Sequence, residues 1–195
     1  MFTSCLNTKS SNKEKLIGMI FQKTYSNSQE FLGELYCYYL YQGVLDSKQI
    51  TPDLFKNYIK GGTLSLKFLS EYEKWTLEDS EGQMCRKKIG KDFRILSANT
   101  GKEFAILLNR KAIIEEGKNP DITLNHELLH VAFAMFKVNR KAVQDKLNEL
   151  SSKEKEEFIS KHPGYDFSKP NILLKEYFSY TYQENIEEGL RLLMK

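Results

Sequence analysis

Residues 124–136 limit the fold of this chain more than any other stretch: nine of the thirteen are apolar, and three of the four polar ones are His126, Glu127 and His130. The apolar set (Leu124, Leu128, Leu129, Val131, Ala132, Phe133, Ala134, Met135, Phe136) leaves no polar face on a helical wheel. A helix apolar all round is a buried helix. Asn119 can cap its start, and Pro120 fits the first turn. Imidazoles and a carboxylate inside such a helix cost free energy unless they bind something or each other. His126-Glu127-Leu128-Leu129-His130 uses two of the chain's three histidines. Helix positions i and i+4 share a face, so both rings can reach one Zn²⁺ at about 2.0–2.1 Å. Glu127 stands beside them as a general base for water.

At 195 residues the chain is long enough for one domain with a real core. A net charge of +3 with acids and bases interspersed gives no reason to expect nucleic acid or a membrane surface as partner. Three cysteines (Cys5, Cys37, Cys85) are an odd number without metal-type pairing, and the expectation is free thiols. The N-terminus has no basic segment followed by a long apolar run, and no stretch has the length of a transmembrane helix. As it stands the chain reads as cytoplasmic, with delivery by a non-classical secretory route left open.

Residues 13–43 read as helical and aromatic-rich, and a second helix is expected from Thr51-Pro52-Asp53 toward Ile59. Gly61-Gly62 breaks that pattern, and residues 76–91 are polar and glycine-punctuated, which reads as a loop. Residues 93–96 and 104–108 flank Asn99-Thr100-Gly101-Lys102 and read as a β-hairpin. A strand pair there could offer a sheet edge to an extended peptide. Ser151-Ser152-Lys153-Glu154 has capping-box form and opens a charged helix. A Pro-Gly loop containing His162 follows, then a helix over about 171–183 and a short final helix. His162 reads as a plain surface residue.

Catalytic zinc usually has three protein ligands, so a partner for the two histidines is needed. Phe136 and Phe133 stand where a three-histidine pattern would need histidine and glycine. Glu176, 46 residues after His130, lies at the border of an apolar helical face. Glu149 follows His130 by 19 residues but points away from the apolar face made by Val143, Leu147 and Leu150. Cys85 precedes His126 by 41 residues, similar to the cysteine ligand of peptide deformylases.

The pentad followed some 45 residues later by Glu176-Tyr177-Phe178-Ser179 resembles the catalytic domain of the anthrax lethal factor family and its small bacterial relatives, the proline-specific endopeptidases among them. The likeness covers roughly residues 93–195. It implies a single α+β, zincin-like metallopeptidase domain with a catalytic core over 93–195, to which the residue pattern adds a mainly helical N-terminal part over 1–92. A small sheet would pack on the metal-binding helix. It further implies Zn²⁺ held by His126, His130 and Glu176, a peptide or protein substrate, Glu127 as base, and Tyr165 as donor to the oxyanion. The family places an acidic residue four after the glutamate ligand; Tyr180 stands there in this chain.

Overall fold

The computed structural model describes residues 11–43, 51, 55, 59–89, 101–163 and 165–194. Its elements run α1 (Asn12–Gly18), β1 (Ile20–Tyr25), α2 (Ser28–Tyr41) and β2 (Gly61–Ser65), then a 3-10 turn (Leu66–Phe68) leading into α3 (Leu69–Glu78) and α4 (Ser80–Ile89). After β3 (Phe104–Asn109) come α5 (Arg110–Glu115), α6 (Pro120–Met135), α7 (Arg140–Glu149), α8 (Ser152–Lys161), α9 (Pro170–Tyr182) and α10 (Ile186–Leu193). The architecture is α+β, mostly helical, with three strands in the order β1-β3-β2.

β3 is the central strand, and its sequence explains why. Every residue from Ala105 to Asn109 is buried, the near-continuous apolar run of a strand covered on both faces. Side chains alternate along a strand. Ala105 and Leu107 enter one core with Phe31, Leu35, Tyr38 and Tyr72 of α2 and α3. Ile106 and Leu108 enter the other with Leu128, Leu129, Phe178 and Leu190 of α6, α9 and α10. The sheet is thus the middle layer between two helical layers.

β1 pairs with β3 in parallel and β2 pairs with it antiparallel, Gly61 opposite Leu108 and Ser65 opposite Phe104. The Gly61-Gly62 pair lets β2 lie close to helices on both faces. A Cβ on Gly62 would stand 2.4 Å from Leu35 Cδ2 of α2, and one on Gly61 would stand 2.8 Å from Glu127 Oε1 of α6.

Several sequence expectations need correction. The stretch 13–43 is not all helix, because α1 ends at Gly18 and Ile20–Tyr25 adds to the sheet; pairing with β3 overrides the local helical pattern. The stretch 76–91 is not a loop. Asp79 Oδ1 accepts from the Glu81 and Gly82 N–H groups at 2.8 and 3.2 Å and starts α4. Of the expected hairpin, 104–108 is strand, but it is flanked by β1 and β2; residues 93–96 lie outside the described residues. Cys37 and Cys85 are not free thiols: they form a disulfide between α2 and α4, with Cα atoms 5.9 Å apart. Cys5 lies outside the described residues. Of the helix expected toward Ile59, residues 52–54 and 56–58 lie outside the described residues; Phe55 N–H donates to Thr51 C=O and Ile59 N–H to Phe55 C=O, both at 2.9 Å.

Candidate metal centre

Helix α6 starts where the sequence places it: the Asn119 side chain accepts from Asp121 N–H at 2.9 Å, and Pro120 opens the first turn. It then runs through the core, burying every residue from Asn125 to Phe133. His126, Glu127 and His130 are therefore buried as a group, at 6, 5 and 7 % exposure. Helix α9 packs against α6. Leu174, Phe178 and Tyr182, spaced four apart, go to the core, while Glu176 turns toward the histidines with no solvent exposure.

Glu176 Oε2 lies 3.4 Å from His126 Nε2 and 3.4 Å from His130 Nε2. Donors about 2.0–2.1 Å from a shared tetrahedral centre stand roughly 3.4 Å apart, so these separations fit one ion. The three donor atoms lie within 4.8 Å of one another. Both Glu176 oxygens are buried without a hydrogen-bond partner. Oε1 has the Lys175 ammonium 3.3 Å away, whereas Oε2 faces only the two rings. A buried carboxylate oxygen left so is costly, and an ion between it and the rings would remove that cost. The residues present fit a zinc-type ligand set of two imidazoles and one carboxylate.

The ring nitrogens facing away from Glu176 are also engaged. His130 Nδ1 lies 2.8 Å from Ser179 Oγ, and His126 Nδ1 lies 3.2 Å from Gln183 Oε1. With Nδ1–H as the donor in these contacts, each Nε2 lone pair would be free to face a shared ion. Burial pulls the His130 pKa down to about 3, so that ring is neutral at pH 7, the form in which an imidazole can hold a metal. Burial pushes the Glu176 carboxyl up, but the His130 ring and the Lys175 ammonium more than offset it and hold it well below the usual range. Glu176, Ser179 and Gln183 stand at i, i+3 and i+7 along α9 and its C-cap, so this one segment brings the carboxylate and both ring contacts to the histidines. Ser179→Ala should lower zinc affinity about 10–100-fold with little change in folding; chelator competition reading wild-type affinity would remove Ser179 from that role.

Tyr180 packs its ring on His126 with centroids 4.4 Å apart. His162 stacks on Tyr180 with centroids 3.9 Å apart and is partly buried. The expectation of a plain surface histidine is thus corrected: the loop after α8 folds over α9 and brings His162 there. Tyr165, from the same loop, reaches the site. Burial and the Glu176 charge push its phenol well above the ordinary value, so it is a proton donor only.

Glu127 is fixed from the sheet. Thr63 Oγ1 donates to Glu127 Oε2 at 2.8 Å and lies 3.1 Å from the Glu127 main-chain oxygen. Burial raises the Glu127 pKa, and His126 partly opposes this. A cavity of about 450 Å³ opens beside His126, Glu127 and Tyr165, walled by Ile59, Lys60 and Ile122. A smaller cavity of about 60 Å³ lies on the Glu176 and His130 side, with Tyr39 and Lys175 in its wall.

The other two ligand candidates do not join. Glu149 is exposed at the end of α7, and Cys85 is held in the disulfide with Cys37. The strand expected to offer a peptide edge, β3, is central, so the edge beside Glu127 is β2 instead. Sequence reasoning missed Thr63, Ser179, Gln183 and Tyr39. The spacing of Ser179 and Gln183 from Glu176 was a readable signal, whereas Thr63, 64 positions from Glu127, left none. No protein-family model, curated protein or solved structure matches the chain.

Proposed function

We propose that this protein is a zinc-dependent metallopeptidase, an endopeptidase acting on extended peptide segments. The observation that carries the reading is the buried His126–His130–Glu176 set, one carboxylate oxygen 3.4 Å from both Nε2 atoms. Zn²⁺ bound there would supply a Lewis acid and a nucleophilic water at neutral pH. Glu127 would accept the proton of the attacking water and return it to the leaving amine. Its raised pKa suits that exchange, and the Thr63 hydroxyl keeps Oε2 in place. The Tyr165 phenol, lining both cavities, would donate to the carbonyl oxygen as charge develops.

The sheet edge supports a peptide substrate. Asn109 N–H donates to Lys60 C=O and Leu66 N–H to Glu103 C=O, so the even-numbered residues of this segment face β3. Antiparallel alternation then turns the main-chain groups of Gly61, Thr63 and Ser65 outward. Tyr39 Oη accepts from Thr63 N–H at 3.2 Å, and Ser65 C=O accepts from the Tyr38 hydroxyl. Gly61 lines the large cavity, where its outward N–H and C=O can pair with an extended chain.

The test is zinc affinity by competition with a chromophoric chelator, wild type against Glu176→Gln, together with digestion of a peptide library. Tight one-to-one zinc weakened at least tenfold in the variant, and cleavage lost on chelation and restored by zinc, are the expected results. Tight zinc without cleavage of any peptide would leave a binding module, and no zinc in wild type would end the metal reading.

A further inference from the structure

We infer that Lys175 is a positioning residue for the metal centre: its ammonium holds the second oxygen of Glu176 so that the carboxylate presents one oxygen only to the ion. This rests on the metal reading above. The two oxygens of Glu176 have different surroundings. Oε2 is equidistant from the two imidazoles, while Oε1 lies 3.3 Å from Lys175 Nζ. Among the described residues neither oxygen has a hydrogen bond, so this ion pair is the contact that distinguishes them.

The contact takes a long side chain. Adjacent helix residues point about 100° apart, so Lys175 must turn its stem back to reach its neighbour's carboxylate. It does so along the wall of the small cavity, beside Tyr39 and Gln42, with its side chain one-third exposed. The stem can lie against those aromatic and aliphatic surfaces while the head meets Oε1. Lysine suits the task as a compact point charge on a flexible stem.

The consequence is chemical. A carboxylate can bind an ion through one oxygen or both, and a second oxygen would take the position that a catalytic zinc site leaves open for water. With Oε1 neutralised by Lys175, the Glu176 carboxylate stays turned so that Oε2 alone faces the histidines. Removing the ammonium would leave Oε1 buried and uncompensated, and rotation onto the ion is the simplest way to satisfy it.

Cobalt(II) reports coordination number without any substrate. Wild type, Lys175→Met and Lys175→Arg are loaded with Co²⁺ and compared by visible absorption, and their zinc affinities are measured by chelator competition. Wild type and the arginine variant should show the intense bands of a four-coordinate ion. The methionine variant should show bands several-fold weaker, from a higher coordination number, and zinc affinity about 10–100-fold lower. A methionine variant matching wild type in both readouts overturns the role of Lys175 and leaves the metal centre standing. An arginine variant as altered as the methionine variant also overturns it, because charge would then not be the operative property. A wild type that takes up neither ion overturns the metal centre and this inference together.

Discussion

Glu127→Ala is expected to keep stoichiometric zinc and to lose peptide cleavage by about 10²–10⁴-fold, the usual weight of a positioned general base. The ligand set explains why the metal should stay. None of the contacts among His126, His130, Glu176, Ser179 and Gln183 passes through the Glu127 side chain. The change should also be tolerated by the fold. It removes a buried carboxylate with a raised pKa, and the Thr63 hydroxyl keeps a second acceptor in the main-chain oxygen of residue 127, at 3.1 Å. Loss of turnover would then report chemistry and not unfolding, provided zinc stoichiometry and melting temperature are read on the same samples. Near-normal cleavage by the alanine variant would remove Glu127 as the base.

The His126–His130 part of the candidate site was legible because it is local. An i, i+4 histidine pair with glutamate between them needs only one helix to assemble, and the apolar run around it showed that the helix would be buried. Glu176 was legible for a related reason: its helix has a clear apolar stripe, and the glutamate sits at the border. What the sequence hid is what depends on contacts between distant segments. The strand Ile20–Tyr25 follows a helix with no turn residues beyond Gly18, and only pairing with β3 makes it a strand. The edge strand was assigned to the wrong segment for the same reason, since β2 carries two glycines and looks like a break. Those glycines are there because α2 and α6 both press on the strand, and that requirement appears only once the helices are placed.

The disulfide is the sharpest case, and it carries the largest expected effect on stability. Replacing both Cys37 and Cys85 with serine should cost about 2–4 kcal/mol, since the bridge closes a loop of 48 residues and long loops lose the most entropy on cross-linking. For a chain of this length that corresponds to a fall in melting temperature of roughly 5–15 °C. Reductant should lower the wild-type melting temperature by a similar amount and leave the double variant where it is. An odd cysteine count argued against pairing, but two helices bring these residues together, α2 through its packing under the sheet and α4 through its cap at Asp79. The bridge matters beyond stability because α2 also supplies Leu35 against Gly62 and Tyr39 against Thr63. Loosening α2 therefore loosens the strand that holds Glu127. If reductant leaves the wild-type melting temperature unchanged, the bridge contributes nothing to stability and the argument for a clamped α2 falls.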